Sequence, residues 1–289
     1  MQQKNNELPK SEIEALLQLL EDPDPYVHEK ARECLLELGE KAIPVMDEYS
    51  CKVSSPALRE QIRNIIRTLS FGTIDQEFAG VLERRVKTLE ELEKGVFILS
   101  KLDHPTIRTE PCRQQLDAMA RELSPQVAGK RTSDACKRLL TYLFEEQKFR
   151  GATEDYFNPV NSYIHKVLEY RRGIPIALSM VVLFVARRLD LPIEGVNMPM
   201  HFLLRYPADS AHIFIDPFNG GAEVRMEQCV QFLSKCGIRP GRAHFEAATP
   251  SEMLARTLRN LINCYEKRHA CVQELRHLLD LVETTQLDL

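Results

Sequence analysis

Two short segments decide the fold: residues 195–204, which read GVNMPMHFLL, and residues 213–221, which read IFIDPFNGG. Apolar residues stand next to turn signals here, and we expect strands at 193–197, 201–206 and 212–216. In a hairpin, the start of one strand lies beside the end of its partner. Pairing Tyr206 with Ala211 would set His201 opposite Asp216 on one face, whereas a one-residue slip would separate them.

His201 and Asp216 are therefore the candidate catalytic pair. An aspartate that accepts a hydrogen bond from one imidazole nitrogen fixes the tautomer and leaves the other nitrogen available as a base. A hydrogen-bonded structural pair at the edge of the sheet is the other interpretation, because His–Asp pairs also occur without catalysis.

Helices are predicted on both sides of these strands. The apolar spacing predicts helices at 158–170, 175–189, 226–236, 251–267 and 270–283, and Thr88 to Glu91 reads as a capping box. The predicted fold class is therefore α+β, mostly helical, with a small antiparallel sheet.

The first 70 residues contain an internal repeat. Apolar positions 27, 31, 34, 35 and 38 recur at an offset of 31 as 58, 62, 65, 66 and 69, and each set describes one face of a helix. Each helix follows a shorter one, and helix pairs of this length resemble HEAT-type repeats. Such pairs offer an extended surface for binding other proteins.

Composition excludes several classes of protein. Among 289 residues, 38 Lys and Arg against 42 Asp and Glu give a net charge of −4, which argues against nucleic-acid binding. The longest apolar run, residues 174–186, is too short to span a bilayer, so we expect no membrane insertion. The first residues show no apolar signal core, and we expect a cytoplasmic protein. The eight cysteines form no CxxC pair and predict no disulfide framework.

Four segments together carry a resemblance to a known family: NPVNSY at 158–163, RRGIPIALS at 171–179, and the two segments quoted first. With them the chain resembles the transglutaminase-like superfamily, which shares the papain-like Cys–His–Asp arrangement. It is most similar to SirB-type transglutaminase-like proteins, whose domain also occurs in some F-box proteins. The resemblance implies HEAT-like helices at 1–70, a papain/transglutaminase-like core at 71–240 and a tetratricopeptide-like helical hairpin at 241–289.

The resemblance places the superfamily's His and Asp at His201 and Asp216, but it supplies no nucleophile. In active members a Cys begins the long helix, and the corresponding position in this chain is Pro175. We therefore expect a non-catalytic module, a pseudoenzyme that binds a protein or peptide partner not identified by the sequence. The alternative is an amide-directed hydrolase or transferase that uses the His201–Asp216 pair with water or a displaced thiol.

Five further residues are candidates for binding. Arg171 and Arg172 are either a clamp for a carboxylate or a solvated helix end. Asn161 and Tyr163 either cap a helix or line the cleft, and Asn219 opens a turn that requires positive φ at the following glycines.

No cofactor and no metal site is predicted. His212 lies too far along its strand to join His201 and Asp216 around one ion. A loose Cys/His group near the C-terminus has no fourth ligand, so core packing is the preferred interpretation for Cys264, His269 and Cys271.

Overall fold

The computed structural model describes residues 9–83, 85–208, 211–266 and 271–287. The chain divides into two compact units, residues 1–77 with 100–107, and residues 78–99 with 108–289. Within the described residues, no helix has both the length and the apolar character needed to cross a bilayer.

Paired helices build the first unit. They are α1 (Lys10–Gln18), α2 (Pro25–Glu37), α3 (Ile43–Lys52) and α4 (Pro56–Leu82), the last of which continues into the second unit. Four of the five repeated positions of α4 are buried and the fifth, Leu69, is partly buried, but in α2 Cys34 is exposed while its counterpart Ile65 is buried. The helical nature of this region is confirmed, and its assignment to HEAT-type repeats stays a prediction.

The second unit is helical except for one sheet. Its helices are α5 (Leu89–Leu99), α6 (Glu110–Val127), α7 (Thr132–Thr141), α8 (Ile164–Tyr170), α9 (Pro175–Arg188), α10 (Met226–Lys235), α11 (Pro250–Glu266) and α12 (Val272–Leu287). The apolar helix α9 is buried from Pro175 to Ala186 and lies at the centre of this unit. The capping box of α5 is present, since the Glu91 amide donates to Thr88 Oγ1 and the Thr88 amide donates to the Glu91 carboxylate.

Two short strands, β1 (Arg150–Gly151) and β2 (Arg172–Gly173), pair in parallel next to the N-terminus of α9. A four-stranded antiparallel meander follows, with β3 (Glu194–Val196), β4 (Leu203–Ala208), β5 (Ala211–Asp216) and β6 (Ala222–Val224) in that order. One face of the meander packs on α10, with Leu203 and Phe214 against Cys229 and Leu233. β4 also contacts α7 and α9. The predicted α+β class with a small antiparallel sheet is confirmed.

Some elements differ from the prediction. The helix expected over 158–170 is a short 3₁₀ turn, Pro159–Asn161, followed by α8 from Ile164, because Ser162 and Tyr163 interrupt the helical hydrogen bonds. The sequence also gave no sign of β1, β2 and β6, whose two or three residues are too short for alternation to be detected.

Candidate functional site

The candidate site forms where the β4–β5 hairpin meets the segment before β4. Nε2 of His201 lies 2.9 Å from Oδ2 of Asp216, and Asp216 is buried. The predicted pairing of Tyr206 with Ala211 is wrong, because Ala208 pairs with Ala211 and Tyr206 pairs with Ile213. A shift of two residues keeps every strand side chain on its face, and His201 and Asp216 are neighbours as predicted, although His201 reaches Asp216 from the loop before β4 and not as its cross-strand partner.

Asp216 is anchored by the turn that follows it. Its Oδ1 accepts hydrogen bonds from the amides of Phe218 (3.0 Å) and Asn219 (3.2 Å), and its Oδ2 accepts one from Nδ2 of Asn219 (2.7 Å). Burial opposes ionisation, but His201 and Asn219 outweigh it and hold the pKa of Asp216 below its usual value. The carboxylate therefore has a structural task in the turn besides its contact with His201.

His201 sits on an irregular segment, two residues before β4 begins. Met200 before it has φ +64°, and the His201 amide donates to the Met198 carbonyl at 3.2 Å. The ring lies within ion-pair distance of Asp216 without the alignment of a hydrogen bond. The side chain of His201 is 17% exposed, so solvent or a ligand can reach it.

Aromatic rings surround the histidine. The ring centroid of His201 lies 6.5 Å from that of Phe218 and 6.2 Å from that of Phe232. Tyr156 continues the series, with centroids 5.9 Å from Phe218 and 5.3 Å from Phe157. We call these five residues, Tyr156, Phe157, His201, Phe218 and Phe232, the aromatic arc.

The arc forms part of an exposed apolar surface. Phe157 is 47% exposed, Phe232 39% and Tyr156 37%, and the neighbouring Met200 is 73% exposed. Monomeric proteins bury most large apolar side chains, and a contiguous exposed group of them marks a surface that binds another molecule.

The start of α9 holds Pro175 at the first helical position, as the sequence predicts. Pro175 is buried, and its carbonyl accepts a hydrogen bond from Ser179 Oγ at 2.8 Å. The Ile174 amide donates to the Asn161 carbonyl at 3.0 Å, which joins two of the quoted segments directly. The proline side chain has no atom that can act as a nucleophile.

All eight cysteines lie in the described part of the chain, and none forms a disulfide or a hydrogen bond with the His201 ring. Cys229 on α10 is buried, and burial together with the charge of Asp216 raises its pKa. Burial also raises the pKa of Cys136 to about 11. Both groups therefore stay protonated at neutral pH, which is unfavourable for a nucleophile.

The other predicted binding residues lie in separate contacts. The buried Asn161 donates from Nδ2 to the Asp155 carbonyl (2.9 Å), and the hydroxyl of Tyr163 lies 3.0 Å from that of Tyr265. Arg171 follows α8 with φ +56°, and its guanidinium lies 4.6 Å from the centroid of Phe149.

Arg172 and Asn219 complete the set. Arg172 reaches Glu154 at 4.0 Å, so the two arginines have different neighbours. Asn219 donates a hydrogen bond from its Nδ2 to Oδ2 of Asp216. Its turn has the expected positive φ at Gly220 (+71°) and Gly221 (+74°).

No metal centre is apparent in the described residues, where no three His, Cys, Asp or Glu side chains are grouped as ligands. His212 is exposed on β5, where it pairs with Pro207. Of the predicted C-terminal group, His269 lies outside the described residues, and Cys264 is buried in α11.

With this geometry established, comparison with known families decides the identity of the domain. The family model described as the transglutaminase-like superfamily matches residues 110–259, about half of the chain. This chain belongs to the transglutaminase-like superfamily. The match includes the His201–Asp216 pair, α9 and the whole meander, so the resemblance predicted from the four segments is confirmed at the superfamily level.

Several transglutaminase-like relatives are similar to this chain over different lengths. F-box only protein 21 of Mus musculus is 30% identical over 245 residues, which cover 81% of this chain and 36% of that protein. A UPF0162 protein of Xylella fastidiosa is 35% identical over 144 residues, or 50% of this chain and 47% of the relative. A UPF0162 protein of Vibrio cholerae is 30% identical over 132 residues, or 45% and 49%.

The chain thus spans about a third of F-box only protein 21 and about half of the UPF0162 proteins. No solved structure matches it.

Two features of the site were missed by the sequence reasoning. The aromatic arc joins residues from the loop before α8, from the turn after β5 and from α10, and no local pattern links them. Arg256 on α11 donates to the Met198 carbonyl at 2.8 Å, next to the segment that carries His201. In the sequence it reads as a polar position of an amphipathic helix.

Proposed function

We propose that this chain is a non-catalytic transglutaminase-like module that binds a protein or peptide partner through the aromatic arc. The observation that carries the proposal is the exposed arc around a His–Asp pair whose imidazole, within the described residues, is not hydrogen-bonded to any cysteine. Nucleophilic catalysis requires a thiol within hydrogen-bonding reach of its base. Partner binding requires an accessible apolar surface.

The position of Pro175 supports the loss of the superfamily reaction. A helix N-terminus stabilises a thiolate, and here the first residue of α9 lacks a thiol. The hydrogen bonding of Asp216 supports the same inference. Three hydrogen bonds from the Phe218–Asn219 turn give its carboxylate a structural role that does not depend on catalysis.

The exposed aromatic residues support the binding role. Tyr and Phe side chains supply large contact areas with little loss of conformational freedom, and aromatic residues are enriched in interfaces. The relative named F-box only protein 21 is consistent with a role in protein interaction, although its name identifies no partner.

Selection from a displayed random-peptide library tests the proposal. The full chain, Phe232→Ser and Tyr26→Ser serve as targets. Tyr26 is a matched control because it is an aromatic residue of the first unit with 71% exposure. We expect peptides selected on the full chain to bind Tyr26→Ser equally well and Phe232→Ser at least tenfold more weakly, about 1.4 kcal/mol. Equal binding to Phe232→Ser contradicts the proposal.

The enzymatic alternative is favoured by one observation, the 2.9 Å separation of His201 and Asp216 in a partly accessible position. An imidazole beside a carboxylate can activate water for attack on an amide. Release of product from a pool of amide and peptide substrates, abolished in His201→Ala, would establish this function instead.

We infer further that the chain belongs to the SirB-type branch, that residues 1–70 are HEAT-like and that residues 241–289 are a tetratricopeptide-like hairpin on a core at 71–240. The repeat of 31 residues in the first unit and the pairing of α11 with α12 support these assignments. We also propose a cytoplasmic location, supported by eight cysteines of which none forms a disulfide.

A further inference from the structure

Arg256 is a half-buried cation beside the segment that carries His201. Its Nη1 donates to the Met198 carbonyl (2.8 Å) and to Oδ1 of Asn197 (2.5 Å), and its guanidinium lies 5.6 Å from the ring centroid of Phe202. Both hydrogen bonds use the same nitrogen. Within the described residues, neither Nε nor Nη2 of Arg256 donates a hydrogen bond, and no carboxylate forms an ion pair with its guanidinium.

This arrangement differs from that of Arg188 in the same unit. Arg188 is also largely buried, and it pairs with both Glu93 and Asp117. Proteins compensate buried charges because removal of water from an ion costs several kcal/mol. At Arg256, burial lowers the pKa and only the Tyr156 hydroxyl opposes the shift. The environment of this guanidinium is therefore short of negative charge.

Tyr156 links the cation to the aromatic arc. Burial raises the pKa of Tyr156, and the positive charge of Arg256 partly opposes that rise. The other side of Tyr156 contacts Phe157 and Phe218 edge to face. The Met198 carbonyl accepts a hydrogen bond from the His201 amide as well as from Arg256 Nη1, so the guanidinium lies beside a residue of the aromatic arc.

We propose that Arg256 and the aromatic arc bind a peptide segment of the partner in which a carboxylate stands next to an aromatic side chain. The proposal names the chemistry of the partner and rests on the proposed binding function. A guanidinium offers donors in a planar fork that matches a carboxylate, and such charge-assisted hydrogen bonds are among the strongest in proteins. The aromatic side chain would pack on Phe218 or Tyr156 in the edge-to-face geometry that the arc already uses.

Two matched probes distinguish the contribution of the carboxylate to binding from that of the aromatic ring. They are N-acetyl-L-phenylalanine, which has a carboxylate, and N-acetyl-L-phenylalaninamide, which is neutral. Each is titrated into the isotope-labelled full chain, and NMR follows the Arg256 Nε–H and the rings of Tyr156 and Phe218. We expect the acid to shift these signals and to bind about tenfold more tightly than the amide, in line with hydrogen bonds to a charged group.

Three variants locate the origin of that preference. Arg256→Gln removes the cation, and we expect it to bind both probes equally. Arg259→Gln removes a charge from the same helix that already pairs with Glu283, and we expect it to keep the preference. Asn197→Ala removes one contact of the Arg256 side chain but leaves its charge, and it should also keep the preference.

The outcomes distinguish this inference from the proposed function. If the acid and the amide shift the arc signals with equal affinity, the carboxylate site is wrong while the arc remains a binding surface. If Asn197→Ala loses the preference as fully as Arg256→Gln does, the effect comes from the shape of the loop and the inference is overturned. If neither probe shifts the arc signals, the inference fails, and the peptide selection with Phe232→Ser decides the binding function separately.

Discussion

Nε2 of His201 faces Oδ2 of Asp216 at 2.9 Å although His201 lies outside the strand that pairs with the one ending at Asp216. The hydrogen bonds of the sheet therefore hold Asp216, while a loop with a left-handed residue at Met200 holds the ring. The two members of the pair depend on different parts of the structure. A substitution in the loop can move His201 without disturbing the sheet.

The depressed pKa of Asp216 predicts a pH-dependent contribution to stability. A carboxyl group whose pKa is lowered by folding stabilises the protein above its unfolded pKa of about 3.9, and this stabilisation is lost as the pH falls through the lower folded pKa. We expect Asp216→Asn to be less stable than the natural chain by about 1–2 kcal/mol at pH 7. Urea unfolding at a series of pH values should show this difference closing below about pH 4.

Glu154→Gln is the control for that experiment, because the Glu154 side chain is 88% exposed and lies 4.0 Å from Arg172. Its free energy of unfolding should follow that of the natural chain at every pH. A difference for Asp216→Asn that stays constant from pH 7 to pH 3 would show that the carboxylate charge is not what stabilises the turn.

Restoring a thiol at the start of α9 tests the assignment of Pro175 to the nucleophile position. On this assignment we expect the thiol introduced by Pro175→Cys to have a pKa below about 8.5, because a helix N-terminus and the His201 imidazole would both favour the thiolate. Rates of alkylation by iodoacetamide, measured by mass spectrometry on the peptide containing residue 175, should fall at neutral pH when His201→Ala is added. Ser179→Cys, one turn further into the same buried helix, should react slowly with or without His201. Equal reactivity at both positions would contradict the assignment.

The buried carboxylate of Glu93 predicts a large effect on stability. Its oxygens lie 2.7 and 2.9 Å from two nitrogens of Arg188 and 3.0 Å from Arg187, and its side chain is 5% exposed. Removal of one partner leaves uncompensated charge, and we expect Glu93→Ala to reduce the free energy of unfolding by about 3–5 kcal/mol. Glu90→Ala on the same helix breaks an exposed pair with Lys94 and should leave the free energy of unfolding nearly unchanged. Chemical denaturation measures both, and similar losses would refute the distinction.

Much of the fold is predictable because its helices are long and periodic. The apolar run of α9 and the repeated positions of α4 identify buried faces directly. The register of the β4–β5 hairpin was harder to predict from the sequence, because Pro207 suggested that the strand ends before it. β3 pairs only with residues 203–205, so at Pro207 the strand has a neighbour on one side and tolerates the missing N–H.

The site was predictable only in part, for a physical reason. His201 and Asp216 lie close together in the sequence and are brought together by one hairpin, so pattern and spacing found them. Tyr156, Phe232 and Arg256 reach the same region from a loop and two helices, and no local periodicity records such contacts. Arg256 is half-buried and has no carboxylate partner among the described residues. Only the packed structure shows both properties.

The turn after Asp216 allows a matched pair of glycine substitutions. Gly220 (φ +71°) and Gly221 (φ +74°) share a left-handed backbone, but a Cβ on Gly221 would lie 2.4 Å from Cδ2 of Phe144, whereas one on Gly220 would meet nothing within 4 Å. Gly220→Ala should therefore show only the backbone penalty, about 1–2 kcal/mol. Gly221→Ala should lose about 1–3 kcal/mol more, because the buried Phe144 ring must move. Urea unfolding measures both losses, and equal destabilisation would mean that Phe144 is not packed against the turn that anchors Asp216.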